Sequence, residues 1–579
     1  MAEWRPVRRP TAPILIALFA GVLALAGCAD ITVCRVHAPD PVVTAHKPQL
    51  FQELQTTDLT NPLYLSENSF SHGLEAEKKN QSEALAYFSD SAAHSYRILT
   101  TITDSSARTV VQAQQLYNAA ISHCLRLAKQ TGRLNGSGEL DMPAACGGRV
   151  PVMRIGFARP TADFGAMEPC AEYRVDGLEH QFQTEGLGVP VLVRRPDEAR
   201  RPGHDYVPKG DIFAATVLLR FDSNSMAATR FELVNPLTTS EVELQGRTVP
   251  LATDLTTPLA CFTAEKNVFQ LDYLPFLRAN RLNDRKGICM LEPYEPGKIP
   301  VILVHGLLSS PITWAPLLNE LRGEPMLRNR FQFWAYYYPT GHPFFGTAAE
   351  FRADLGRLRA DLDPEHRDAA FEHMVLIGHS MGGLISKLMT QEGGTDLWRI
   401  ISAKPLDELD LSQALREKLQ QTFFFERQKQ ITRVIFLGTP HHGSTMSLSP
   451  AGWLAAHLVK FRPDLDSFSR EMVERIPDLS FRKIPTSVEL LAPDSPALQA
   501  LAARPPPSGV HYHSVIGVRQ AVRRLAGDAE PGDGVVAYHS AHLEGVESEL
   551  VVPANHFTVH QNGETVKEIR RILLEHLAD

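Results

Sequence analysis

In the C-terminal half of the chain, apolar runs of strand length alternate with segments whose apolar positions recur every three to four residues. From Lys298 onward "KIPVILVHG" leads into a loop, "FQFWAYYYP" into the helix-like "AEFRADLGRLRADL", and "MVLIGHS" into "MGGLISKLM". "ITRVIFLGTP", "HYHSVIGV" and "GVVAYHS" come next, and then the amphipathic "ETVKEIRRILLEHL". Continuous apolar strands set between helices predict an α/β fold, a mostly parallel sheet with helices on both faces. The chemistry of such a sheet gathers at the C-terminal ends of its strands.

Upstream the period changes. From about Ser82 to Thr131 the chain is free of Gly and Pro, and Leu116, Ala119, Ala120, Cys124 and Leu127 fall at three-to-four spacing, which predicts a helical segment. From Val150 to Thr263 short runs such as "VPVLVRR", "ATVLLRF", "RFELV" and "EVELQG" are separated by Pro, Asn, Asp and Gly, the pattern of a small β-rich module. Residues 29 to 81 are polar, contain "HAPDPVV" and "AHKPQL", and read as a tether. The expected order is therefore a leader at 1–27, a tether at 28–81, a helical segment at 82–149, a β-rich module at 150–290 and the α/β domain with cap insertions at 291–579.

The leader has Arg5, Arg8 and Arg9 ahead of an apolar run from Ile14 to Leu25 that ends in "LAGC". The run is shorter than the roughly 20 residues a membrane-spanning helix needs, so it reads as an export signal. The LAGC ending resembles the lipobox of bacterial lipoproteins, in which the cysteine, here Cys28, is acylated and becomes the mature N-terminus. The resemblance implies a lipid anchor in the cell envelope. Ala29, where an Asp would favour retention in the inner membrane, points to the outer membrane.

Composition adds exclusions. The chain has 579 residues, 44% hydrophobic and 21% charged, and a net charge of −8 from 58 basic and 66 acidic residues. The charges are scattered, without the basic block that a nucleic acid partner requires. The other six cysteines, Cys34, Cys124, Cys146, Cys170, Cys261 and Cys289, match no CxxC metal spacing. In an oxidising compartment their even number permits disulfides. No metal and no organic cofactor is implied.

The chemistry centres on "VLIGHSMGGL". GHSMG fits GxSxG, in which a serine sits on a strained turn between strand and helix with glycines where the backbone doubles back. Ser380 follows the strand-like "MVLI", and Leu384 and Leu388 fall on one face of the predicted helix. A serine hydroxyl needs a base, and an acyl intermediate needs oxyanion donors. The N–H groups of Leu307, after the "HG" of His305 and Gly306, and of Met381, after the serine, are the expected donors, and His305 is expected to be structural. Elbow serines are followed in the chain by an acid and then a histidine. Asp533, between glycines in "PGDGVV", is the expected acid over Asp528. His556 in "VPANHFTVH" is the expected base over His560, His539 and His542.

Taken together, "HG", "GHSMG", "GTPHHGS", "GDGVV" and "NHFTVH" before a terminal helix resemble the lipase and PGAP1-like branch of the α/β-hydrolase superfamily, over about residues 296 to 579. The resemblance implies the α/β-hydrolase fold and a serine esterase acting on carboxylic, lipid-type esters. It also implies that "GTPHHGS" is a loop beside the site, with His441 and His442 outside the catalytic set. The family more often has Ser or Asn where Ala554 stands. "MSLSPAGWLAAHLVKF" is apolar enough for a cap helix, with Trp453, Leu454 and Leu458 as substrate-facing candidates. Two rival readings stand beside the esterase: acyl transfer by the same residues, and a catalytically idle scaffold lipoprotein.

Overall fold

The computed structural model describes residues 31–36, 61–102, 108–134, 140–143, 146–196, 206–222, 224–266, 286–445, 463–476, 478–479, 485–519 and 530–578. The leader, Cys28, Asp528 and the cap candidates Trp453, Leu454 and Leu458 lie outside the described residues.

Three helices, α1 (Pro62–Lys78), α2 (Ala84–Thr101) and α3 (Arg108–Gln130), pack on a five-stranded sheet. Its strands are β1 (Val152–Ile155), β2 (Met167–Pro169), β3 (Val189–Arg194), β4 (Ile212–Phe221) and β5 (Ala228–Val234), in the order β1-β5-β4-β3-β2. Helices and sheet share one core: Phe70, Phe88, Tyr117 and Ile121 meet Val191, Val217, Leu219 and Phe231. The buried Tyr117 hydroxyl meets its polar needs on β4, donating to the Leu219 carbonyl at 2.6 Å and accepting from the Leu219 N–H at 3.0 Å.

Helix α1 lies inside the stretch expected to be a tether. Asn61 caps it, its side chain accepting from the Leu63 N–H at 3.0 Å, and Pro62 occupies the first turn. Only a narrow stripe with Phe70 and Ala76 is buried, so the sequence reads as polar although it packs. Residues Thr32–Arg35 likewise form a strand, antiparallel to Tyr173–Asp176.

The second unit is a seven-stranded sheet made of β6 (Gly287–Met290), β7 (Ile299–Val304), β8 (Phe331–Tyr337), β9 (Met374–His379), β10 (Ile431–Leu437), β11 (His511–Gly517) and β12 (Ser548–Val552). The order is β6-β8-β7-β9-β10-β11-β12, with only β6 antiparallel to its neighbour. Alternation along β7 explains the two covered faces. Val301 and Leu303 meet Leu317 and Leu321, and Ile569 and Ile572 of a C-terminal helix. Ile302 and Val304 meet Phe351 and Leu355, and Leu384 and Leu388 of the helix after β9. Strand β6 extends this domain upstream of the expected boundary at 291. Its four residues pair with β8, Gly287 opposite Tyr337, and bury Ile288 and Met290 in the core beside Trp334 and Tyr336, a run too short for its alternation to stand out in the sequence.

"GVVAYHS" is not a strand. Asp533 accepts from the N–H groups of Val535 and Val536 at 2.8 and 2.7 Å, which closes a turn, and Tyr538–Ala541 forms a short helix. The last strand is β12, "SELVV".

The two units are in direct contact. Arg159 forms ion pairs with Asp211 of the first unit and with Glu292, both at 2.8 Å, and Glu292 also meets Arg322 at 2.9 Å. Helix α4 (Thr256–Lys266) places Leu259 in the core of the second unit and donates from Thr256 Oγ1 to Asn319 Oδ1 at 2.9 Å. The six described cysteines are free thiols. Among the described residues, no helix is long and apolar enough to cross a membrane.

Candidate active site

Strands β7, β9 and β10 end in register, Val304 opposite Gly378 and Gly378 opposite Phe436, so their C-terminal loops converge at one edge. Strand β9 turns there into helix α5 (Met381–Thr390) through Ser380, whose φ of 52° and ψ of −126° are strained for a residue with a side chain. The Ser380 N–H is held by the Leu437 carbonyl at 2.9 Å. The flanking glycines are required by contact. A Cβ at Gly378 would lie 2.5 Å from the Gly383 Cα, and one at Gly382 would lie 2.5 Å from the His305 carbonyl oxygen.

Ser380 is the first member of a buried hydrogen-bonded chain. Its Oγ lies 2.9 Å from His556 Nε2, and His556 Nδ1 lies 2.7 Å from Asp533 Oδ2. A carboxylate accepts, so Nδ1 carries the ring proton and Nε2 is free to accept from the serine hydroxyl. Asp533 Oδ1 is occupied by the Val535 and Val536 N–H groups, which fixes the carboxylate plane. Ser380, His556 and Asp533 are 6%, 5% and 2% exposed, so only the edge of the chain meets solvent. All three expected residues thus come together from the loops after β9, β11 and β12, although 176 residues separate Ser380 from His556.

The expected oxyanion donors are placed by the same loops. The Leu307 and Met381 N–H groups have no hydrogen-bond acceptor among the described residues. The loop bearing Leu307 is held from below, where the Tyr338 hydroxyl donates to the His305 carbonyl and stacks on the His305 ring at 4.4 Å. His305 is therefore a buried support for the loop. Burial pushes its imidazole down to about 4.

The rival histidines are elsewhere. His560 is buried, with Nε2 at 2.8 Å from Thr313 Oγ1 and 3.1 Å from the Thr313 carbonyl, and burial pushes it down to about 4. His539 pairs with Glu530, and His542 with Glu549 at 2.7 Å. His441 is buried edge-on against Phe436, and the His442 N–H donates to the Ser540 carbonyl at 3.2 Å. Two supporting residues escape a motif reading. Gly438, with φ of 54°, passes close to Asp533, where a Cβ would stand 3.2 Å from Asp533 Oδ2. His379 is buried against His556, and the "GTP" turn and the variable position of GxSxG were their only sequence signals. Among the described residues, no group of three or more His, Cys, Asp or Glu side chains could hold a metal ion.

No protein-family model matches the chain, and no curated protein matches it. Among solved structures, it is similar to the mature lipase BlEst2 from Bacillus licheniformis at 17% identity, covering 48% of this chain and 93% of that one with a TM-score of 0.29. It is similar to esterase B from Lactobacillus rhamnosis at 13% identity, covering 55% and 95% with a TM-score of 0.29. A metagenomic carboxyl esterase is similar at 17% identity, over 49% and 75%, with a TM-score of 0.25.

Proposed function

We propose that this chain is an exported, membrane-anchored serine hydrolase that cleaves carboxylic esters, with lipid esters as its substrate class. One observation carries the reading: a strained, solvent-edged serine whose Oγ is 2.9 Å from an imidazole that is itself 2.7 Å from a buried carboxylate. In this reading Ser380 Oγ attacks the ester carbonyl while His556 Nε2 takes its proton, and the carbonyl oxygen becomes an oxyanion between the Leu307 and Met381 N–H groups. His556 then returns the proton to the departing alkoxide. Water, deprotonated by the same nitrogen, releases the acid and restores Ser380. Asp533 keeps the imidazole in the required tautomer and balances its transient positive charge.

A fluorophosphonate probe tests the nucleophile. It should label the wild-type protein and leave Ser380→Ala unlabelled; an unlabelled wild type, or equal labelling of both, would overturn the reading. The anchor rests on the LAGC sequence, and its proposed place is the outer membrane of the cell envelope. Cys28→Ser is expected to move the protein from the membrane fraction to the soluble fraction, and retention in membranes would remove acylated Cys28 from the model of attachment.

A further inference from the structure

We propose that His379 is a positioning residue that sets the geometry between nucleophile and base by holding the main-chain carbonyl of His556. The proposal rests on the reading of Ser380 and His556 given above.

His379 ends β9 and is bonded directly to Ser380. Its Nε2 donates to the His556 carbonyl at 2.8 Å. On the other side of the same residue, the His556 N–H donates to the Asp533 carbonyl at 3.1 Å. The backbone of the base is thus gripped from both sides, once by the residue of the acid and once by the neighbour of the nucleophile. Any shift of the His556 loop away from Ser380 must break the His379 bond. A tether of this kind fixes the separation of the reacting atoms more directly than packing alone, and an error of about 1 Å in such a separation costs on the order of 10²-fold in rate.

The ring is also wedged under the oxyanion loop. A Cβ at Gly306 would stand 3.1 Å from His379 Nδ1 and 2.9 Å from Ser380 Cβ, so loop, ring and nucleophile are in close contact. Its centroid is 4.9 Å from that of His556 and 4.8 Å from that of His560, and His560 is pinned to Thr313. A carbonyl only accepts, so His379 must carry its proton on Nε2 with Nδ1 bare. The titratable groups acting on it are the imidazoles of His560, His556 and His305, and burial with them holds it neutral far below the usual imidazole range. Neutrality suits the role, because a second positive ring here would oppose the imidazolium that forms on His556.

The test uses three variants of the full chain. In His379→Gln the side-chain amide reaches about as far as Nε2 and can still donate, His379→Asn has the amide but falls short, and His379→Phe keeps a ring without a donor. With a p-nitrophenyl ester, kcat is expected to fall by about 10²-fold in the Asn and Phe variants with KM unchanged, and to recover by at least tenfold in the Gln variant. The downfield proton resonance of His556 Nδ1–H, bonded to Asp533, should persist in the Gln variant and broaden in the others. Equal kcat in the Gln and Asn variants overturns the proposal, and that comparison suffices if the Phe variant does not fold. A wild type without turnover or probe labelling would remove the esterase reading instead. In that case the resonance decides His379 alone, and an unchanged signal in His379→Asn overturns its positioning role.

Discussion

Replacing His556 with alanine is expected to lower ester turnover by roughly 10⁴- to 10⁶-fold while leaving the protein folded. The magnitude follows from the connections of this one ring. It is the only imidazole hydrogen-bonded to Ser380 among the described residues, and it is held in the acceptor tautomer by Asp533. His560→Ala is the matched control. That ring is held through Nε2 by Thr313, so its loss removes packing and a buried hydrogen bond and destabilises the protein while His556 stays in place beside Ser380. Initial rates with a p-nitrophenyl ester, with circular dichroism to confirm folding, separate the two. Loss of turnover in His560→Ala and retention in His556→Ala would reverse the assignment of the base.

Acidification is expected to unfold the seven-stranded unit well above the pH at which its carboxylates titrate. His305 and His560 are buried as neutral rings and titrate near 4, whereas an unfolded chain binds a proton on each near the ordinary value of about 6.5. Between these values the unfolded state holds more protons, so stability falls as pH falls from about 6.5 toward 4. Each ring contributes about 3 kcal/mol across that interval at the usual 1.36 kcal/mol per pH unit. His379 and His441, also lowered by burial, act in the same direction. The combined effect is comparable to the whole stability of a typical domain. Urea midpoints followed by tryptophan fluorescence should drop steeply between pH 7 and pH 4.5, because the buried Trp314, Trp334 and Trp398 all lie in this unit. An unchanged midpoint over that range would contradict the buried neutral state of these rings.

The parts of the site that were legible in the sequence are those whose chemistry forces a local pattern. The elbow glycines are one case, since no side chain fits beside Val304, His305 and Gly383, and so GHSMG had to be written as it is. The apolar alternation of β7 and β9 is another, because strands buried on both faces carry apolar residues throughout. Asp533 could be chosen for its place between glycines, but what orients it toward His556 is a turn, in which its Oδ1 caps two N–H groups, and not the strand the valines suggested. Helix α1 and strand β6 were illegible for a related reason. One buries a narrow stripe under a polar surface, and the other is four residues long, too short for its buried Ile288 and Met290 to show a period.

What the sequence determined by itself was the class of sheet, the strained serine turn at Ser380 and the two segments that meet it, because these depend on periodicity and on short-range sterics. Which histidine meets Ser380 was decided only by the tertiary structure. His556 and His560 are four residues apart in one short segment, yet one ring faces Ser380 and Asp533 while the other is buried against Thr313. A hydrogen bond requires a direction and a distance, and both arise from loops that the sheet brings together across 176 residues of chain.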